Sequence, residues 1–406
     1  METIFLLTKD CMPTEALPCY GGCAYWQGKT PNIDELAEKG LMFMRHYTAA
    51  PSTSMAMSAM LTGHYPYEFL SRKHYVGVSP SEFPSIFDDF QKDGYECHLI
   101  WDKTWIQMAW KFVREFGDES RTKIHNLNIA QATAAYKPGN VQIKRNDLLL
   151  QETLSQIYNT LNNIDFSQKQ FVWLHLPHIL KGRRAYMDDM DVFDEIVGFV
   201  RNLVGDENVF LSSDHGHMNL HKHKIRYGFD VYESAVRIPF ITPRLKNAPS
   251  SLKKVDYLTS NVDLPSILLT RSLPSPHDYV LSDTKYYAQK GRKVGVIGDK
   301  YKYIYNGANH EEELYDLKWD PQEEFNILET LIYDVDRKIR SFTMEHYFYP
   351  YYEEALKELE RLRNVKDEIW RYPTTKERLY VNLYDQARKS KTLGMVLKLL
   401  KRKASS

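Results

Sequence analysis

The sequence predicts an α/β protein whose mostly parallel sheet is sandwiched by helices, and three observations carry that prediction. Helix-spaced segments alternate with strand-length apolar runs four times in the first half of the chain. The runs are nearly continuous in apolar residues, as in "TIFLLT" and "QFVWLHL", which suits strands buried on both faces. The composition, 43% hydrophobic with 53 Lys+Arg against 53 Asp+Glu over 406 residues, describes a neutral globular chain with a sizeable core.

The first strand is "TIFLLT", with Asp10 just past its carboxyl end. A Gly/Cys/Pro-rich loop leads to "TPNIDELAEKG", where Thr30 precedes Pro31 and Gly40 closes a helix. Residues 84–101 hold a helix through "SIFDDFQKDG" and the strand "YECHLIW". A third unit pairs a helix over 148–163 with "QFVWLHL", and a fourth runs through "DVFDEIVGFVRNLVGDENVFLSS" to a strand ending at Ser213. In open sheets of this kind, reactive groups gather at the carboxyl ends of the strands.

Beyond these units the texture changes. "RKVGVIGDKYKYIY" (292–305) alternates apolar and polar residues about a turn, which reads as an antiparallel hairpin. From about residue 327 the chain is rich in charge and tyrosine at helical spacing. The expected organisation is a catalytic α/β domain over 1–275, a smaller antiparallel subdomain of the same fold over 276–326, and a helical C-terminal extension over 327–406.

Net charge is zero, so no basic face argues for nucleic acid. The four cysteines match no disulfide framework and no paired zinc pattern, and are read as reduced, mostly buried thiols. "METIFLLTKD" lacks a signal-peptide apolar region, and no stretch approaches the ~18 apolar residues that span a bilayer; the expected location is cytoplasmic. Between Arg388 and Lys403 lie seven basic residues and no acid, with Leu393, Val396, Leu397 and Leu400 on one helical face. That pattern reads either as a peripheral contact with an anionic membrane at its inner face or as a helix packed on the body.

The most informative segment for chemistry is "HYTAAPSTSMAMSAMLTGHYP". Ser52, Thr53 and Ser54 precede a helical run stopped by Gly63, which places a hydroxyl where unpaired backbone N–H groups and the helix dipole favour an anion. Taken alone, Thr53 or Ser54 reads equally as an N-cap.

In order along the chain, "TPNIDELAEKG", "FMRHYTAAP", "LTGHYP", "LSSDHGHM", "YESAVRIPFI", "VDLPSILL" and "ELYDLKWDPQEEFN" resemble the sulfatase and phosphotransferase branch of the alkaline phosphatase superfamily over roughly residues 1–326. The resemblance implies a sulfatase-like fold and a metal centre made by Asp10, Thr53, Asp214 and His215, with Thr53 as nucleophile. Sulfatases carry a Cys or Ser in C-x-P-x-R and oxidise the Cys to formylglycine. Here Thr53-Ser54-Met55-Ala56-Met57 lacks the cysteine, the proline and the arginine. A single strand-end carboxylate and a threonine look closest to the Thr-nucleophile phosphoglycerol and phosphoethanolamine transferases. Cys11-Met12-Pro13 imitates part of the sulfatase signature and is read as coincidence.

The chemistry is coherent on its own terms. Two carboxylates, one imidazole and a hydroxyl make an O₃N set suited to one divalent ion, Mn²⁺ or Zn²⁺ before Mg²⁺ or Ca²⁺, and contact with that ion lowers the pKa of a threonine hydroxyl. The resemblance also places His178 after Pro177 on the substrate side as a proton donor, and puts His221, His223 and Lys224 in a loop that contacts the substrate anion in related enzymes. Read singly, each of these three is as well explained as a polar loop residue. The expected reaction is transfer of a substituted phosphoryl or phosphonyl group from a small-molecule or lipid-linked donor to a glycan or lipid-linked acceptor through phospho-Thr53. The alternative is hydrolysis by a phosphodiesterase, phosphonate monoester hydrolase or sulfatase-type enzyme.

Overall fold

The computed structural model describes residues 2–22, 29–69, 83–102, 122–127, 142–177, 183–218, 222, 227–284, 291–329, 349 and 351–370. Their strands are β1 Thr3–Lys9, β2 Leu41–Phe43, β3 His46–Tyr47, β4 Glu96–Asp102, β5 Thr122–Leu127, β6 Gln170–Leu176, β7 Val209–Ser213, β8 Phe240–Thr242, β9 Lys254–Val255, β10 Thr259–Ser260, β11 Tyr279–Asp283, β12 Lys293–Gly298, β13 Tyr301–Asn306 and β14 Glu311–Asp316. The helices are α1 Pro31–Lys39, α2 Thr53–Thr62, α3 Pro66–Phe69, α4 Ile86–Lys92, α5 Gln142–Asn162, α6 Arg183–Val204, α7 Glu233–Val236, α8 Leu264–Thr270 and α9 Tyr352–Ile369.

The main sheet runs β5-β4-β6-β1-β7-β8-β2-β9. It is parallel except where β8 pairs antiparallel with β7 and with β2. β1 is central, with Leu7 opposite Leu174 of β6 and Leu211 of β7. Because strand side chains alternate, Phe5 and Leu7 pack under α1, α5 and α6 with Ile33, Leu36, Ile157 and Phe193. Ile4 and Leu6 face the other way, against Met57 and Met60 of α2, Phe87 and Phe90 of α4 and Ile267 of α8. This two-sided burial is why β1 and β7 are apolar through their middles and turn polar at their carboxyl ends.

The second sheet, β11-β12-β13-β14, is antiparallel throughout and contains the hairpin expected over 292–305. One face packs on α9 through Leu359 and Leu362. The other packs on the main body through Val280, Ile297 and Ile304 against Tyr47, Val231 and Val236. At this junction the buried Lys302 ammonium lies 3.0 Å from Glu233 Oε1 and 2.9 Å from Glu323 Oε1. Glu323 in turn accepts from the Glu233 backbone N–H at 2.7 Å, while Tyr47 donates to Glu233 Oε2 at 3.1 Å. Burial pushes the Glu323 carboxyl up, and Lys302 opposes the shift. α9 lies inside the expected helical extension, whereas the basic segment 388–403 lies outside the described residues. No described helix is long and apolar enough to cross a membrane.

His46 in β3 is buried, with Nδ1 at 3.0 Å from Thr259 Oγ1 and the ring stacked on Phe240. Burial lowers its pKa from 6.5 to about 3. The unfolded chain therefore binds a proton below 6.5 that the folded chain refuses, and this group removes stability as pH falls from 6.5 toward 3. Urea unfolding at pH 7, 6 and 5 is expected to show the wild type losing stability relative to His46→Gln, with a slope that steepens below pH 6.5 toward about 1.4 kcal/mol per pH unit. A difference between the two proteins that stays constant over that range would contradict the assignment.

Candidate active site

The cluster forms where β1 and β7, side by side in the sheet, release the chain at their carboxyl ends. Asp10 follows β1, and its N–H donates to Leu176 O of β6 at 2.9 Å. Asp214 and His215 follow β7. The Ser213 hydroxyl ties the two exits together: it accepts from Met12 N–H at 3.0 Å and lies 2.8 Å from Lys9 O and 2.7 Å from His215 O. Lys9, one residue before Asp10, turns to the opposite face, where its ammonium lies 3.9 Å from Asp189 of α6. Gly216 is needed for close approach, because a Cβ there would meet Ser234 O at 2.1 Å.

His215 sits at the centre. Its Nδ1 is 2.8 Å from Gly216 O. A carbonyl only accepts, so Nδ1 donates to it, and Nε2 is the nitrogen that faces the cluster. Nε2 lies 3.1 Å from Thr53 Oγ1, 3.4 Å from Asp214 Oδ2 and 3.6 Å from Asp10 Oδ1. All three side chains from the strand ends are fully buried. Asp214 Oδ1 accepts the backbone N–H of His215 at 2.7 Å and of Cys11 at 3.2 Å. Its Oδ2 has no hydrogen-bond partner among the described residues, the signature of a carboxylate oxygen oriented toward a cation.

Thr53 is the first residue of α2, and the N-cap is Ser52, whose side chain makes no capping bond. Thr53 and Ser54 therefore do not act as N-caps, and the Thr53 hydroxyl faces His215 Nε2 instead. α2 runs to a left-handed Gly63 (φ 71°) and is buried along Met55–Leu61, which fixes its N-terminus over the strand ends.

The structure thus brings Asp10, Thr53, Asp214 and His215 together. His178, His221, His223 and Lys224 lie outside the described residues. Asp194 of α6 caps the start of α1, accepting from Ile33 N–H at 2.9 Å and from Asn32 Nδ2 at 2.9 Å. His175 turns away from the cluster to Thr8 Oγ1 at 2.9 Å, and burial lowers its pKa.

Two neighbours escaped the sequence reading. Cys11 lies beside the site: Asp10, Cys11 and His215 each offer a ligand-type atom within 4.8 Å of the others. Burial, then the charges of Asp10 and Asp214, push its thiol well above the ordinary range. Tyr227 lays its ring over His215 with centroids 4.6 Å apart, and its phenol is raised by burial and by Cys11, Asp10 and Asp214. Adjacency to a strand-end carboxylate could have flagged Cys11; nothing around Tyr227 marks it. Cys97 is a buried thiol and Cys19 a half-buried one, neither in a disulfide, while Cys23 lies outside the described residues.

A mixed but largely parallel sheet that gathers carboxylates and an imidazole beneath the start of a helix carrying a hydroxyl defines the alkaline phosphatase-like class. Within it the chain belongs to the sulfatase family, whose model matches residues 23–271. Among curated proteins, 64 residues are 39% identical to arylsulfatase D of Homo sapiens, covering 16% of this chain and 10% of that protein. A stretch of 99 residues is 29% identical to N-acetylglucosamine-6-O-sulfatase of Bacteroides thetaiotaomicron, covering 24% and 16%. The matches thus span a small fraction of either relative's length. Among solved structures, a 2-O GAG sulfatase superposes with TM-score 0.62 at 17% identity, covering 93% of this chain and 96% of that one. The phosphonate monoester hydrolase of Agrobacterium radiobacter does so with TM-score 0.60 at 15% identity, covering 91% and 96%. At these identities the likeness is one of fold.

Proposed function

We propose that the protein is a metal-dependent ester hydrolase of the sulfatase family that attacks a substituted phosphoryl or phosphonyl group with the Thr53 hydroxyl. The observation that carries this reading is the convergence of Thr53 Oγ1, Asp10 Oδ1 and Asp214 Oδ2 on His215 Nε2. Asp10, Asp214, His215 and Thr53 would hold one divalent ion, Mn²⁺ or Zn²⁺ by donor type, which would lower the pKa of a contacting hydroxyl and neutralise anionic ester oxygens. The open N–H groups at the start of α2 face the same anion, so the helix end binds the transferred group and orients it toward Oγ1. Displacement forms a Thr53 Oγ1–P bond and breaks the bond to the ester oxygen. Water then releases the group.

A hydroxyl without the C-x-P-x-R setting has no route to formylglycine, and this favours phosphorus over sulfur as the centre attacked. The same threonine supports a second reading, in which an alcohol of a glycan or lipid-linked acceptor replaces water and the enzyme is a transferase.

A p-nitrophenyl panel of sulfate, phosphate, phosphodiester and phosphonate monoester, with Mn²⁺ or Zn²⁺ present, tests the proposal. The diester or the phosphonate is expected to turn over fastest. Sulfate turnover alone would overturn the phosphoryl assignment. Partitioning of the product onto added glycerol in place of water would decide for transfer.

A further inference from the structure

We propose that the Cys11 thiolate is itself a ligand in this centre and makes it select zinc over Mn²⁺, Mg²⁺ and Ca²⁺; the inference rests on the metal-site reading above. In an extended strand, residues 10 and 11 would point to opposite faces. Cys11 instead adopts a left-handed φ of 59°, which few residues other than glycine, asparagine and aspartate take up. The turn places both side chains in one cluster. The Cys11 thiol is fully buried, and its sulfur, a carboxylate oxygen of Asp10 and a ring nitrogen of His215 lie within 4.8 Å of one another, while its backbone N–H holds Asp214 Oδ1 at 3.2 Å. A cysteine packed for its apolar character would sit among hydrocarbon; this one sits among carboxylates and an imidazole.

The second observation is independent of the cysteine. Asp214 Oδ2, fully buried and without a hydrogen-bond partner among the described residues, lies 3.4 Å from His215 Nε2. Together the residues offer carboxylate oxygen, imidazole nitrogen and thiol sulfur. All-oxygen shells suit Mg²⁺, Ca²⁺ and Mn²⁺, whereas a sulfur donor shifts preference to a thiophilic ion such as Zn²⁺. Binding forms one metal–sulfur bond and releases the thiol proton to solvent, with no change of oxidation state.

Cobalt(II) serves as the optical probe for zinc. When Co²⁺ is added to the full-length, chelator-treated protein, the wild type is expected to show a near-ultraviolet thiolate-to-cobalt charge-transfer band. Cys11→Ser, which keeps the backbone N–H, is expected to bind Co²⁺ without that band. The ratio of Zn²⁺ to Mn²⁺ affinity is expected to fall at least about tenfold in Cys11→Ser. Cys11→Asp, which replaces sulfur by carboxylate oxygen, provides the same readouts should the serine variant fold poorly. Bound Co²⁺ with no band, or a band that survives in Cys11→Ser, would overturn the sulfur assignment and leave the metal site standing. Failure of the wild type to bind any of these ions would overturn both.

Discussion

Thr53→Ala is expected to lower turnover of the best ester substrate by at least about 10³-fold, a loss of about 4 kcal/mol of transition-state stabilisation. The reason is local. Thr53 opens α2 without capping it, and among the described residues its hydroxyl makes no hydrogen bond other than the one to His215 Nε2 at 3.1 Å. Removing the oxygen leaves the helix, its buried face and the carboxylates in place, and alanine is a better helix former than threonine. Stability is therefore expected to move by less than about 1 kcal/mol, which separates loss of chemistry from loss of fold. Thr53→Ser keeps the oxygen and is expected to retain turnover within about tenfold of the wild type. Parallel kinetics and thermal unfolding of the three proteins decide the matter. An alanine variant with a tenth or more of wild-type turnover would remove Thr53 from the reaction.

Asp214→Asn carries the second large effect. In the wild type, a divalent ion at 100 times its Kd is expected to stabilise the fold by about 2.7 kcal/mol. The variant is expected to show no such gain, because it loses the buried oxygen that points into the site. Without metal the order reverses. Asp10 and Asp214 are both fully buried, each within 3.6 Å of His215 Nε2, and neutralising one relieves their mutual repulsion. The metal-free variant is thus expected to unfold at the same or a higher temperature than metal-free wild type. Thermal unfolding with chelator and with Mn²⁺ or Zn²⁺ gives both numbers, and elemental analysis gives the stoichiometry. A variant that gains as much from metal as the wild type would strike Asp214 from the ligand set.

How far the sequence reaches depends on whether a feature is written locally. β1, β6 and β7 were legible because burial on both faces demands unbroken apolar runs, and α1 and α6 because their apolar residues recur at helical spacing. Asp10, Thr53, Asp214 and His215 stand at element ends and within ordered motifs, so their meeting could be anticipated. β2 and β9, of three and two residues, are too short to leave a pattern, and the reversal of β8 depends on its partners. Asp194 lies within α6, yet the helix start it caps belongs to α1, a pairing that no local pattern records. The placing of Cys11 beside Asp10 in the cluster depends on one backbone angle, and no residue type announces that angle.

The central place of β1 also sets when the site can exist. Its side chains meet β6 partners some 166 residues later in the chain, and Cys11 meets Asp214 after 203. Such separations slow folding, since long loops must close before the contacts that reward closure form. On a growing chain, the carboxylate at the end of β1 has no imidazole to face until β7 and the residues after it have emerged. The reactive centre is therefore born late, in the step that slots β1 between β6 and β7, and nascent chains that have not taken that step carry no competent metal trap.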